Sequence, residues 1–243
     1  MRLVSQLFLL LSLAATSLDA REYRVYVAEG AELTAPDEQL RALREFDPSA
    51  SWVQVPLSRR CDSEAQARRA ILAIRDGVSI LPCVALADDQ GCYACLPVEG
   101  LSAEHLRAAQ QYATAPDRAA KAQRRRFEAS RYLLFARLNF RPPTDLPACR
   151  LYIQRARQLL EDTCAGTEDR QLIGLRALYP LLMQQYSLLS QGAHTPESEA
   201  TLLEAIAALE AARDLDPRSA LGRQAYDERE RLRAARLKSR RYE

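Results

Sequence analysis

The chain has 243 residues, of which 48% are hydrophobic and 27% are charged, and its formal net charge is +2. This composition is that of an ordinary globular protein, so it excludes a largely disordered chain, and the nearly balanced charge does not indicate nucleic-acid binding. Only 8 residues are glycine, which favours helix as the dominant element.

The N-terminus is typical of a secretory signal peptide. Arg2 precedes an apolar run, Leu3 to Ala15, and small residues follow. The run is too short to span a bilayer but suits a signal-peptide core. We expect cleavage after Ala20, with Ser17 as the alternative point and an uncleaved anchor as the alternative outcome. No later apolar stretch is long enough to cross a membrane, so the protein is expected to be exported to the periplasm or the extracellular space.

Strands and helices alternate along residues 22–113. Two runs rich in β-branched and aromatic residues, Tyr23–Ala28 and Trp52–Leu57, predict strands. Pro56 has no N–H for a ladder hydrogen bond, which predicts a strand end or an edge strand. A hairpin follows from Leu81 to Leu96, and its turn ends on a glycine.

Three helices complete this first region. One begins near Thr34 and one near Ser63, each with an acceptor side chain three residues later that suits a capping box. The third runs from Ser102 to Tyr112. The order β-α-β-α-β-β-α predicts an α/β domain over residues 22–113.

This region resembles the thioredoxin-like fold superfamily. The resemblance rests on Leu81-Pro82 before an apolar strand, the Asp-x-x-Gly turn and the helix that starts at Ser102. It implies a cis-proline at Pro82 and a groove between Leu81-Pro82 and the loop Glu29-Gly30, which in redox members holds an extended peptide. Redox members carry Cys-x-x-Cys after the first strand, where this chain has Ala28-Glu29-Gly30-Ala31.

Residues 119–243 show helical patterns alone and predict an all-α domain. One predicted helix spans 169–190 and is expected to kink at Pro180. The segment Ala205–Pro217 resembles the end of a tetratricopeptide repeat, in which an Ala-rich helix closes on Leu-Asp-Pro. Only one such match occurs, so two degenerate repeats and a plain helical bundle both stay open.

Two basic runs lie within the helical region, Arg124–Arg126 and Arg229–Arg241. Acidic neighbours accompany both runs, which favours solvated helix faces. Binding to an anionic surface is the alternative.

Six cysteines carry the only candidate chemistry. In an exported protein an even number indicates disulfides. Cys92 and Cys95 are expected on opposite sides of a strand, roughly 10 Å apart, and cannot join without a bulge or turn at Tyr93-Ala94. A shifted hairpin register that sets Cys83 opposite Cys95 makes Cys83–Cys95 the preferred disulfide. A bridge to the helical domain and buried free thiols are the alternatives. The full set is Cys61, Cys83, Cys92, Cys95, Cys149 and Cys164.

Cys149 and Cys164 are expected on one helix, about 22 Å apart, and therefore should not pair unless that helix breaks.

Thiol–disulfide exchange is the alternative role for the hairpin cysteines. Cys92 and Cys95 would form the redox pair, but a strand gives them no helix dipole to lower their thiol pKa. Cys61 and Cys83 are further redox candidates, and Cys61 lies just before a helix start. Cys92 and Cys95 also have the spacing of a zinc knuckle, but no second Cys-x-x-Cys pair accompanies them. His105 and His194 lack ligand spacing as well, so we expect no metal and no cofactor.

The sequence favours an exported, non-enzymatic protein in which a thioredoxin-like domain is joined to a helical interaction domain. We expect a protein or peptide partner, and neither nucleic acid nor a membrane span. An atypical thiol–disulfide oxidoreductase is the alternative. A third hypothesis is a cell-envelope assembly or scaffold protein in which the helical half binds the partner.

Overall fold

The computed structural model describes residues 22–33, 36–88, 90–191 and 195–239. The predicted signal peptide, Thr34 and His194 lie outside these residues. The described residues divide into two compact units: those up to Arg59 with Asp76–Ala119 form the first, and Arg60–Arg75 with those from Ala120 onward form the second.

The first unit contains a four-stranded mixed sheet in the order β2-β1-β3-β4. Its strands are β1 (Glu22–Ala28), β2 (Ser51–Leu57), β3 (Cys83–Asp88) and β4 (Gly91–Pro97). β1 runs parallel to β2 and antiparallel to β3, and β3 and β4 form the predicted hairpin. Strand β2 is an edge strand, which confirms the expectation from Pro56.

The first unit contains the short helices α1 (Pro36–Gln39), α2 (Arg41–Phe46) and α4 (Ala103–Ala109). Helix α3 (Glu64–Asp76) follows β2 along the chain and, apart from Asp76, belongs to the second unit. A 3₁₀ turn extends α4 to Thr114. Ser102 caps α4, because its Oγ accepts a hydrogen bond from the backbone N of His105 at 3.2 Å. Ser63 and Gln66 bracket the start of α3 as predicted, with the N of Gln66 donating to Ser63 Oγ at 3.3 Å.

The two faces of the sheet carry different side chains, since successive residues of a strand point to opposite sides. One face builds the core of the first unit, in which alternate residues of β1 and β3 pack with apolar residues of α2 and α4: Tyr23, Val25, Val27, Val84, Leu86, Leu43 and Leu106. The other face carries Arg24 and Tyr26 of β1 and Cys83 and Ala85 of β3, because these alternate with the core positions.

The second part of the chain is helical, as predicted. Its helices are α5 (Arg118–Phe140), α6 (Leu146–Glu161), α7 (Thr167–Ile173), α8 (Tyr179–Leu189), α9 (Pro196–Leu215) and α10 (Ala220–Ser239). Thr195 caps α9 in a reciprocal capping box with Ser198. None of the described helices is both long and apolar enough to span a membrane.

A π-helical turn, Gly174–Leu178, joins α7 to α8 at the place where the sequence predicts a kink. Pro180 has no N–H to bond the carbonyl of Arg176, so the regular hydrogen-bond ladder is interrupted here. Gly174 leaves room for α9, because an added Cβ would lie 3.1 Å from the Cβ of Ala212.

Candidate functional site

A cleft of about 490 Å³ lies beside Pro82 in the first unit, and we call it the acidic cleft. The Leu81–Pro82 peptide bond is cis, as the resemblance implies. Three glutamates and three aliphatic side chains line the cleft: Glu32, Glu38, Glu99, Leu33, Val98 and Leu101, with Gln39, Pro82 and Gly100. Sequence analysis singled out only Pro82 of this set.

Backbone hydrogen bonds fix one wall of the acidic cleft. The N of Val98 donates to the carbonyl of Pro82 at 3.2 Å, which ties the start of β3 to the end of β4. The N of Leu101 donates to the carbonyl of Val98, also at 3.2 Å. The turn between them contains Gly100 at φ +70°, a conformation that glycine adopts without strain. Glu99 is therefore presented on a closed turn.

The carboxylates of the acidic cleft form no salt bridge with the cationic side chains that the structure describes. Glu32, Glu38 and Glu99 are all exposed. Within the described part of the chain, no ion pair involves any of the three. The cleft therefore carries unbalanced negative charge that is open to a cationic ligand.

An apolar cleft of about 310 Å³ adjoins the acidic cleft and shares the turn Glu99–Leu101 with it. Its other lining residues are mostly apolar: Leu96, Pro97, Ala108, Ala109 and Tyr112, with His105 and Gln111. Tyr112 is 52% exposed, and Ile80 and Leu81, directly before Pro82, are 46% and 43% exposed.

The loop after β1 borders the acidic cleft with other residues than the predicted groove requires. Glu29 and Gly30 are not among the residues that line the acidic cleft, which is bordered instead by Glu32 and Leu33. The N of Glu29 donates to the carbonyl of Leu57 at 2.9 Å, so this loop is held against the end of β2.

A second candidate site is a group of three cysteines on the face of the sheet opposite the core. We call Cys83, Cys92 and Cys95 the sulfur cluster. In the hairpin Cys83 lies opposite Pro97 and Ala85 opposite Cys95, so the register in which Cys83 faces Cys95 directly does not occur. Cys83 and Cys95 are diagonal neighbours on one face.

A β-bulge brings Cys92 to the same face as Cys95. The register changes between Leu86 and Ala87, so that Ala87 lies opposite Cys92 while Leu86 lies opposite Ala94. Tyr93 is the extra residue. The Sγ atoms of Cys92 and Cys95 are 3.9 Å apart, which is the arrangement that sequence analysis made conditional on a bulge at this point.

The environment of the sulfur cluster is buried and polar. The Sγ of Cys95 donates to the backbone carbonyl of Asp76 at 3.2 Å, and the Sγ of Cys92 to that of Ala94 at 3.3 Å. The contact with Cys83, together with burial, raises the pKa of Cys95 to about 12. The same contact lowers the pKa of Cys83 below its ordinary value.

The cysteines are free thiols, including all three of the sulfur cluster. Among the described residues, no group of histidine, cysteine and acidic side chains has the geometry to hold a metal ion.

Asp76, at the end of α3, joins the face that carries the sulfur cluster. Its carboxylate accepts two hydrogen bonds from Arg24, from Nε at 2.7 Å and Nη2 at 3.0 Å, and one from the hydroxyl of Tyr26 at 2.6 Å. The bond to Asp76 raises the pKa of Arg24, and burial followed by the bond to Asp76 raises that of Tyr26. Sequence analysis missed this network, although polar residues alternating with core residues on β1 were a signal that a partner was needed.

The remaining cysteines belong to the second unit and lie apart from one another. Cys61 contacts Tyr132, and burial together with this contact raises the pKa of Tyr132 to about 12. Cys149 is buried in α6 and donates to the carbonyl of Leu181 at 3.2 Å. Cys164 lies beyond the end of α6, which is at Glu161. The expectation that Cys149 and Cys164 share one helix is therefore wrong.

Comparison with protein-family models, with curated proteins and with solved structures gives no match to this chain.

Proposed function

We propose that this protein is an exported, non-enzymatic peptide-binding protein whose first unit has a thioredoxin-like fold. The order of strands and helices and the cis bond before Pro82 agree with the resemblance that the sequence suggests. The signal-like residues 1–20 support export. The family's usual redox pair is replaced by Ala28-Glu29-Gly30-Ala31, which supports a binding role rather than catalysis.

The observation that carries this proposal is the acidic cleft with its adjoining apolar cleft. Unpaired Glu32, Glu38 and Glu99 favour a cationic side chain, and the apolar cleft next to them suits a large apolar one. In an extended peptide, side chains two positions apart point to the same side and lie about 6.6 Å apart, so such a pair reaches both clefts. The proposed ligand is therefore an extended segment with lysine or arginine two positions from a large apolar residue.

The interaction is expected to be weak. Each exposed contact between a glutamate and a cation contributes about 0.2–1 kcal/mol. Burial of one leucine-sized side chain adds about 1.5–3 kcal/mol. Association and ordering of the peptide oppose these gains by several kcal/mol, so we expect a dissociation constant no tighter than about 1 μM.

Fluorescence anisotropy with labelled peptides tests the proposal. The full chain is titrated into a peptide in which lysine and leucine stand two positions apart with serine between them, and into a matched peptide with glutamate in place of lysine. We expect binding of the basic peptide alone, and weaker binding at about 1 M salt, because the Debye length then falls to about 3 Å.

A pair of charge-matched variants locates the binding site. Glu38→Gln with Glu99→Gln is expected to weaken binding of the basic peptide by about tenfold, which corresponds to about 1.4 kcal/mol. Glu45→Gln with Glu104→Gln removes the same charge from exposed helix positions outside both clefts, and is expected to leave affinity within about twofold. Equal affinities of the two double variants would contradict a site in the acidic cleft.

An atypical thiol–disulfide oxidoreductase that uses the sulfur cluster is the second candidate. The gathering of three sulfurs on one face favours it. Against it, Cys83 is 0% and Cys92 8% exposed, and the pKa of Cys95 near 12 leaves little thiolate at neutral pH. Reduction of insulin by the full chain separates the two: turnover that disappears in Cys92→Ser would favour the enzyme over the binding protein.

A further inference from the structure

We propose that Cys92 and Cys95 are a site of reversible oxidation, at which a disulfide closes across the bulge at Tyr93 while Cys83 stays a thiol. The two sulfurs lie 3.9 Å apart. They need only rotate toward each other to reach bonding distance of about 2 Å.

The register of the hairpin shows why the backbone already fits this bond. Cys95 lies opposite Ala85 and Cys92 opposite Ala87, and those alanines are two positions apart on a regular strand. Two positions correspond to about 6.7 Å. The Cα atoms of the two cysteines therefore have about that separation, which is within the range of about 4.4–6.8 Å observed for disulfides.

Cys83 is the less suitable partner for Cys95. It lies opposite Pro97 rather than Cys95, and diagonal positions in an antiparallel pair are about 7–8 Å apart. That separation exceeds the usual range for a bridge. Cys83 contacts the pair from the neighbouring strand without competing for the bond.

The oxidant is a disulfide of a small thiol or of another protein. The thiolate of one cysteine attacks this disulfide, forms a mixed disulfide and releases one thiol. The thiolate of the second cysteine then attacks the protein sulfur of the mixed disulfide and releases the second thiol. The raised pKa of Cys95 slows this exchange, so the pair equilibrates slowly with an external disulfide rather than turning over as an enzyme. The protein loses two electrons and two protons, and the external disulfide gains them as two thiols.

Oxidation also changes hydrogen bonding at Asp76. In the dithiol form the Sγ of Cys95 donates to the backbone carbonyl of Asp76 at 3.2 Å, and the Sγ of Cys92 to that of Ala94 at 3.3 Å. A disulfide has no S–H, so both bonds are lost on oxidation. These two hydrogen bonds stabilise the dithiol form relative to the disulfide form. The pair is therefore expected to be reducible rather than permanently bridged.

Mass spectrometry of the full chain tests the proposal. The protein is equilibrated with mixtures of reduced and oxidised glutathione, quenched with acid and alkylated after denaturation. We expect one two-electron transition, after which two of the six cysteines resist alkylation. The peptide that contains residues 92–95 is expected to be lighter by two hydrogens.

Single substitutions assign the bond. Cys92→Ser and Cys95→Ser are each expected to abolish the transition, whereas Cys83→Ser and Cys149→Ser, a buried cysteine of the second unit, are expected to keep it. The wild-type result stands even if a variant does not fold. Full alkylation of residues 92 and 95 at every glutathione ratio, or a bond that maps to Cys83, would overturn the proposal.

Discussion

Arg118 is expected to be a main source of stability for the hairpin of the first unit. Its guanidinium pairs with Asp88 at the end of β3 and donates to the carbonyls of Gly91 and Ala113, at 2.8 Å each. It also lies over the ring of Tyr93, 5.7 Å from the centroid. The substitution Arg118→Met keeps the apolar stem of the side chain and removes all of these contacts.

The size of the stability loss depends on how well water can solvate Asp88 and the two carbonyl groups once the guanidinium is removed. The side chain of Arg118 is 11% exposed and that of Asp88 is 28% exposed, so the partners left behind are partly rehydrated. A hydrogen bond to a charged group contributes about 1.5–3 kcal/mol when buried, and we take about 1 kcal/mol for each of the three partners here. Arg118→Met is therefore expected to lower the free energy of unfolding by about 3 kcal/mol.

Urea denaturation followed by fluorescence measures this loss. Trp52 is the only tryptophan of the chain and lies in β2, so its emission reports on the first unit. Arg107→Met, at an exposed position of α4, is the control and is expected to change stability by less than about 0.5 kcal/mol.

Acid pH gives a second check with a definite sign. The hydrogen bond from Arg118 lowers the pKa of Asp88 below its ordinary value. The stabilisation is therefore present above the unfolded pKa, about 3.9, and is lost as the pH falls through the lower folded value. The difference between wild type and Arg118→Met should therefore shrink as the pH falls from 7 to below the unfolded pKa. A difference below 1 kcal/mol at pH 7, or one that does not change with pH, would refute the reasoning.

Two further substitutions test the network at Asp76 and the start of α10. Asp76→Asn replaces the carboxylate that accepts hydrogen bonds from Arg24 and Tyr26 by an amide, whose NH₂ group would face those donors. We expect the free energy of unfolding to fall by about 2–4 kcal/mol, measured by urea denaturation followed by tryptophan fluorescence. Gly222→Ala adds a Cβ that would lie 2.0 Å from the carbonyl oxygen of Asp216, so the backbone must move. We expect a loss of about 2–3 kcal/mol, measured by thermal unfolding with far-UV circular dichroism, despite the better helix propensity of alanine.

Matched controls accompany both substitutions. Glu45→Gln removes an exposed carboxylate of the first unit and is expected to be nearly neutral. Gly166→Ala adds a Cβ whose nearest neighbour is 4.0 Å away, so it should cost far less than Gly222→Ala. Equal losses within either pair would show that the contacts described here do not set stability.

Features that depend on a few consecutive residues were predictable from the sequence. The helix starts at Ser63 and Ser102 and the edge position of Pro56 follow from side chains that act on their own or neighbouring backbone groups. The helical character of the second half follows from apolar periodicity over long stretches. These signals are local, so a single sequence contains them.

The candidate sites depend on pairings between distant residues, which the sequence did not determine. Asp76 meets Arg24, 52 positions earlier in the chain, and nothing near either residue specifies the other. The bulge at Tyr93 adds one residue to β4, and no local signal in the sequence marks it. The spacing of Cys92 and Cys95 indicated what a bulge there would do, but not that it forms.

The bulge at Tyr93 also has a consequence for how the hairpin tolerates mutation. After the bulge the even-numbered residues Ala94 and Leu96 contact the core. Before it the even-numbered Cys92 lies on the other face, so the alternation of residue numbers between the two faces is reversed at the bulge. Substitution of every residue from Gly91 to Pro97 should therefore give an alternating pattern of tolerance that is interrupted at Tyr93. Deletion of Tyr93 should leave every other residue on its present face, because it removes the extra residue and joins Cys92 directly to Ala94 in a regular register with Ala87 and Leu86.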